Sequence, residues 1–363
     1  MANIYSSSDS DSDDEQVINF VVRLGRIRKV PRIQIRKDHF NYWDDQEFYC
    51  RFRLSKESVT NLLHSIHDVI KHPTNWNHAL TSMEMLLITL RFFATGSFLI
   101  VIGDFGGVHK STVGKAINRV TRAIANLREE YIKFPQTEEE ISIVQQGFYQ
   151  LARFPRVVGA LDCTHIKIKS PGGENAEIYR NRKNFFSLNV QTIAASNLKI
   201  INIVARWPGS AHDSTIFRNS EICRKFQNAE MERAILVGDA GYPIQNFLMT
   251  PLAVTNTIAQ NLYNESLIRT RNPVERSYGV WKRRFPILSN GINLHLRMVP
   301  WVIVATAVLH NIAILNDEDE PPPLNLEEQR AFDLADDVPV ADDVNRNNNN
   351  RARNEFIAYF ANL

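Results

Sequence analysis

Two apolar runs in the middle of the chain, Val157-Val158-Gly159-Ala160-Leu161 and Ala234-Ile235-Leu236-Val237-Gly238, each stop at an aspartate, Asp162 and Asp239. Short apolar runs bounded by turn residues read as buried strands, so each acid falls at a strand end. The alternation resumes after Asp162 through Thr164-His165-Ile166-Lys167-Ile168-Lys169, and Pro171-Gly172-Gly173 stops it. Ser187 to Ala195 and Lys199 to Trp207 read as two more strands. Ser196-Asn197-Leu198 between them is short enough for a hairpin, which predicts antiparallel neighbours. Pro208-Gly209 ends the third strand, Asp213-Ser214 starts a helix to about Phe226, and residues 234–239 form the fourth strand. A last helix is expected to open at Asn272-Pro273, with Glu275 in its first turn.

A three-strand meander, a helix, a strand parallel to the first, a loop and a helix make up the order of the α/β ribonuclease H-like fold. It gathers Asp162, Asp213, Asp239 and Glu275 at element ends around one site. Gathered carboxylates repel one another unless divalent cations neutralise them, and hard oxygen ligands favour Mg²⁺ or Mn²⁺. Two such cations, about 3.5–4 Å apart, activate a nucleophile and stabilise the leaving oxygen in a displacement at phosphorus. One carboxylate must bridge them, and Asp162 on the central strand is best placed, with Asp239 and Glu275 completing the set. Other readings stand beside these. Asp213 is either a ligand or the cap of its helix. Asp239 in Gly238-Asp239-Ala240-Gly241 suits a turn, and Glu275 suits the third position of a capping box opened by Asn272. Asp162 as a phosphatase nucleophile would want a second aspartate two residues on, where Thr164 stands. His165 and His212 read as structural or substrate-side, since hard metals prefer oxygen.

The formal charge of +2 over 363 residues hides a division. Residues 1–15 carry five acids and no Lys or Arg, and residues 316–363 carry twelve acids against four Arg. Residues 16–315 therefore hold 38 basic and 23 acidic residues, a net of +15 that favours a polyanionic partner such as DNA over a merely soluble basic surface. Both ends read as disordered, the second with a short helix around Glu327–Phe332, because acidic, Ser-rich or Asn-rich stretches cannot bury a core. Cys50, Cys163 and Cys223 lack any CxxC pair, which argues against a disulfide framework and a zinc module. The N-terminus has no secretory pattern. The apolar stretch from Met298 to Leu315, with Pro300 near its start and His310-Asn311 inside, reads as a buried core helix and not a membrane span.

Residues 16–150 look all-helical, and the strand-bearing part runs from 151 to 315. Helices are expected over Phe40–Cys50, Ser55–Ile70, Ser82–Ala94 and Ser97–Phe105. After Gly106-Gly107 another, capped by Ser111, runs to about Leu127. The last pair has a helix-turn-helix pattern. Val113, Ile117, Val120, Ile124 and Leu127 make its buried face, and Lys110, Lys115, Arg119 and Arg122 face outward. Lys110, Ser111 and Lys115 are the candidates for base-edge contact, with Arg119 a further DNA-binding candidate, against the alternative of an ordinary helical hairpin with a solvated face. Arg180, Arg182 and Lys183, interleaved with aromatics in Tyr179–Ser187, suit DNA backbone contact or a solvated loop. Arg276, Lys282, Arg283 and Arg284 surround Glu275 with positive charge, as phosphate positioning needs.

Five ordered strings carry a family resemblance: Leu161-Asp162-Cys163-Thr164-His165-Ile166, Tyr179-Arg180-Asn181-Arg182-Lys183, Pro208-Gly209-Ser210-Ala211-His212-Asp213-Ser214, Gly238-Asp239-Ala240-Gly241-Tyr242-Pro243 and Val274-Glu275-Arg276-Ser277-Tyr278-Gly279-Val280-Trp281-Lys282. Over roughly residues 40–315 the chain resembles the PIF/Harbinger DDE transposases and is most similar to the Harbinger transposase-derived nucleases of animals. The resemblance implies a ribonuclease H-like DDE catalytic domain behind an all-helical N-terminal domain, and a divalent cation held by Asp162, Asp213, Asp239 and Glu275. It also implies DNA endonuclease activity without autonomous transposition, a nuclear and cytoplasmic location, and a separate Myb/SANT-like partner for DNA targeting. Cys163 stands where the family pattern has Gly, a small-for-small departure. A homo-oligomer is compatible with the sequence. The rival expectation is a domesticated, non-catalytic DNA-binding or protein-assembly factor.

Overall fold

Strand β1 (Val157–Lys167) is the centre of a five-stranded sheet, with β2 (Ser187–Ala194), β3 (Ile200–Pro208), β4 (Ile235–Val237) and β5 (Leu248–Met249) in the order β3-β2-β1-β4-β5. β1 and β2 are antiparallel with Asp162 opposite Thr192, β2 and β3 are antiparallel, and β4 runs parallel to β1 and to β5. The hairpin and the parallel fourth strand are as the sequence predicts, and β5 is an addition. Alternation splits the sheet into two faces. Ala160, Ile166, Leu188 and Val190 join the core shared with the helices, while Leu161 and Ile193 join a second cluster with Phe217, Phe226 and Tyr242.

The computed structural model describes residues 36–72, 79–228, 230–231, 233–321 and 351–363, and one unit spans Lys37–Leu363. The expected disorder of residues 1–15 and the expected helix around 327–332 lie outside the described residues. Before the sheet come α1 (His39–Tyr42), α2 (Asp45–Phe52), α3 (Lys56–Ile70), α4 (Ser82–Thr95), α5 (Leu99–Gly106), α6 (Lys110–Asn126), α7 (Arg128–Tyr131) and α8 (Glu138–Ala152). After β3 come α9 (Asp213–Arg218) and α10 (Glu221–Gln227), then α11 (Ile258–Arg284), α12 (Ile287–Asn290), α13 (Val299–Leu315) and α14 (Arg351–Ala361).

Several boundaries differ from the sequence reading, each for a local reason. The helix expected over 40–50 is two, because the Asp44 carboxylate caps a new start by accepting from Glu47 N–H at 2.7 Å. Ser220 likewise caps α10, accepting from Cys223 N–H and splitting the helix expected over 213–226. His109, not Ser111, caps α6. The tail contributes α14, whose Phe356 and Phe360 are buried against Phe154. The largest correction is α11. It does not open at Asn272-Pro273 but runs 27 residues with Pro273 inside, capped at Thr257. An interior proline costs about 3 kcal/mol. Against it stand Tyr263, Leu267, Thr270, Val274, Tyr278 and Trp281, buried at helical spacing on both sides of the proline. At about 1.5–3 kcal/mol for each large apolar side chain buried, the stripe outweighs the proline.

α13 is apolar all round. With the turn before it, over Leu296–Leu315, it is long and apolar enough to cross a bilayer, but it is packed against α6 and β3, as the core reading expects. Two of its polar residues grip the hairpin. Asn311 accepts from Ile200 N–H at 2.9 Å and donates to the Ile200 carbonyl at 2.7 Å, and His310 Nε2 meets the Leu198 carbonyl at 3.0 Å. Burial pushes His310 down to about 4, so it stays neutral and apolar enough for its place.

Candidate active site

The four acids reach one region from four elements. Asp162 lies on β1, on the face turned to α11. Beside it Thr192 of β2 donates to the Tyr278 hydroxyl at 2.9 Å, which ties strand to helix. Asp239 follows β4 and is 5% exposed, its carboxylate accepting from Gly241 N–H at 3.1 Å, so the turn chemistry read from Gly238-Asp239-Ala240-Gly241 and a place in the site are both present. Asp213 is the first residue of α9 but makes no cap hydrogen bond. It accepts instead from Asn189 Nδ2 of β2 at 2.7 Å, and the same amide donates to the Ala211 carbonyl at 2.8 Å. The capping reading of Asp213 therefore fails. Gly209 permits this approach, since a Cβ there would stand 2.6 Å from the Tyr179 carbonyl oxygen. Glu275 lies mid-helix on α11 and is half exposed, so its capping-box reading falls with the helix start at Asn272.

Arg271, one turn before Glu275, is the residue that sequence reasoning missed. Its guanidinium spans Asp162 Oδ2, at 3.2 Å, and Glu275. The signal was the four-residue spacing to Glu275, hidden by reading Pro273 as a helix start. Among the described residues, no three His, Cys, Asp or Glu side chains converge as a metal-ligand set. Asp162 and Glu275 close instead on a guanidinium, a cation of the protein's own.

Burial pushes Asp162 up from 3.8 to about 8, with Arg271 pulling it down and the Asp239 and Asp213 charges pushing it further up. Asp239 is raised for the same reasons. The donor set therefore fits a hard divalent cation: buried carboxylate oxygens that repel one another and gain from added positive charge. A stability effect follows. A carboxyl whose folded value lies above its unfolded one favours folding while protonated, and this contribution is lost as pH climbs from about 4 to about 8. In chelator, Asp162→Asn is expected to raise the thermal midpoint, and by more at about pH 8.5 than at about pH 6. Unfolding curves at both values check it, and an equal shift at both would contradict it.

Cys163 points to the other face, where its Sγ lies 3.4 Å from the Tyr242 hydroxyl. Burial pushes the thiol well up, so it stays protonated beside the acids. His165 Nδ1 pairs with Ser187 Oγ at 3.0 Å, a structural bond.

Of the expected basic contacts, Lys110, Ser111 and Lys115 are exposed on α6, with Arg119 half exposed. Ser111, Lys115, Arg119 and Arg122 line an open groove of about 550 Å³. Arg182 stands 2.8 Å from His212 Nδ1, next to Asp213, and Lys183 is exposed beside it. Arg180 is paired with Glu177 at 2.7 Å. Two assignments around Glu275 are overturned: Lys282 and Arg284 are 2% and 1% exposed and cannot meet DNA. Helical rotation puts them on the buried stripe, four residues after Tyr278 and three after Trp281. Arg276 and Arg283 both pair with Glu320, at 3.6 and 3.5 Å.

A family profile described as DDE superfamily endonuclease matches residues 161–311, the segment that carries all four acids. The strand-bearing region is thus similar to the DDE superfamily endonucleases. The chain is 27% identical to HARBI1 of Bos taurus and to HARBI1 of Homo sapiens over 308 residues, 81% of this chain and 88% of each relative. Both relatives are named as candidate nucleases. It is 24% identical to the ALP1-like protein of Arabidopsis thaliana over 324 residues, 81% of this chain and 79% of that one. No solved structure matches. The DDE family uses divalent metal generally, which agrees with the donor set.

Proposed function

We propose that the protein is a divalent-metal-dependent DNA endonuclease that cleaves phosphodiester bonds at Asp162, Asp239 and Glu275, with Asp213 as an auxiliary ligand. The observation that carries the reading is the gathering of these acids, two of them buried and raised by burial and by neighbouring carboxylates, inside a DDE endonuclease match. Bound Mg²⁺ or Mn²⁺ would supply a nucleophile at neutral pH and stabilise the leaving oxygen. The chain's own part is to hold the acids: Asn189 fixes Asp213, the Thr192–Tyr278 bond fixes the helix carrying Glu275, and Tyr242 and Cys163 close the floor. Nicking of supercoiled plasmid in Mg²⁺ or Mn²⁺ against chelator tests it, with a targeting partner supplied. Absence of nicking across metals and substrates would favour the non-catalytic rival.

The α6 groove and the Arg182–Lys183 loop support DNA as partner, since both carry exposed cations suited to phosphate. Binding should weaken steeply as salt rises, because each neutralised phosphate releases counterions. Lys115→Gln is expected to reduce the slope of log K against log[salt] by about 1, whatever the DNA sequence. An unchanged slope would remove α6 from the interface.

A further inference from the structure

Arg271 and a divalent cation want the same oxygen. The guanidinium holds Asp162 Oδ2 at 3.2 Å and Glu275 together, with its side chain 18% exposed. It has no lone pair to offer a metal, and at this range a second positive charge would be repelled. Without it, Asp162 would face the charges of Asp239 and Asp213 with little solvent to screen them. The guanidinium is thus the counter-ion that the described residues supply to Asp162 and Glu275, on a long side chain that can swing from its Cα without moving α11.

We propose that Arg271 is the resident counter-ion of the metal-free site: it neutralises Asp162 and Glu275 and must release them before a divalent cation loads. The inference rests on the metal-dependent reading above. The form that accepts metal is the minority in which Arg271 has swung away, so apparent affinity is reduced by that fraction.

The alternative is a strut, with Arg271 serving only to tie α11 to β1. The two roles move metal affinity in opposite directions. If Arg271 competes with metal, Arg271→Gln tightens binding of Mn²⁺ alone to the full chain by roughly tenfold. If it is a strut, its loss scatters the acids and binding weakens. Free Mn²⁺ read by electron paramagnetic resonance during titration gives the affinity without any dependence on turnover. Arg271→Lys keeps the charge but gives up the two-pronged grip, so its affinity should fall between wild type and Arg271→Gln. It carries the test should the glutamine protein fail to fold. Equal or weaker binding by the variants, with wild type binding normally, overturns the counter-ion role and leaves the metal reading standing. Failure of every protein to bind Mn²⁺ overturns both.

Discussion

Asp162→Ala is expected to abolish metal-dependent nicking, a loss on the order of a thousand-fold or more, the scale seen when a preorganised electrostatic stabiliser is removed. The fold should survive. Asp162 sits at the centre of the sheet, opposite Thr192, and its oxygens face Arg271 and the other acids. Burial already disfavours its charge, so alanine removes a strained ion and should not lower the metal-free midpoint. DNA binding should persist, since the exposed cations of α6 and the 182–183 loop lie on other elements. Activity and binding therefore separate in one variant. Plasmid nicking and a salt series on the same preparations check this. Equal nicking by wild type and variant would point to a contaminant or to a different site.

The strands and the acids that end them were legible because short apolar runs bounded by turn residues report directly on buried strands. Asp162 and Asp239 could be placed from their flanking apolar runs alone, and the hairpin at Ser196-Asn197-Leu198 from its length. What could not be read was tertiary override of a local signal. Pro273 is a helix-start residue by local preference, and only the buried stripe from Tyr263 to Trp281 shows why the helix runs through it. With the start misplaced, Arg271 fell outside the helix and its partnership with Glu275 was invisible. Asn189 was hidden differently. Nothing in Ser187 to Ala194 marks one polar residue of the strand as the one that meets Asp213, since that depends on how closely Gly209 lets the turn approach.

The run Lys282-Arg283-Arg284 shows the same limit, and it yields the second large effect. As a string it looks like a phosphate-binding cluster, yet Arg284 is 1% exposed. Its Nη1 donates to the Tyr49 hydroxyl at 2.9 Å and the Arg53 carbonyl at 3.1 Å, and lies 3.5 Å from Glu318. Its Nη2 donates to the Asp319 carbonyl at 2.8 Å. Glu318, its side chain 5% exposed, accepts in turn from Ser55 N–H at 3.0 Å and Ser55 Oγ at 2.9 Å, at the start of α3. One guanidinium thus joins the end of α11 to α2, α3 and the segment after α13. Arg284→Ala leaves Glu318 buried without its cation, and the expected loss is about 3–5 kcal/mol, the cost of breaking one partner out of a buried pair. Adding Glu318→Gln to that variant should restore part of the loss, because the stranded charge is then gone. Denaturant midpoints of the wild type, both single variants and the double variant give the coupling. A DNA-contact role for Arg284 would show the opposite pattern, an unchanged midpoint with weaker and less salt-dependent DNA binding.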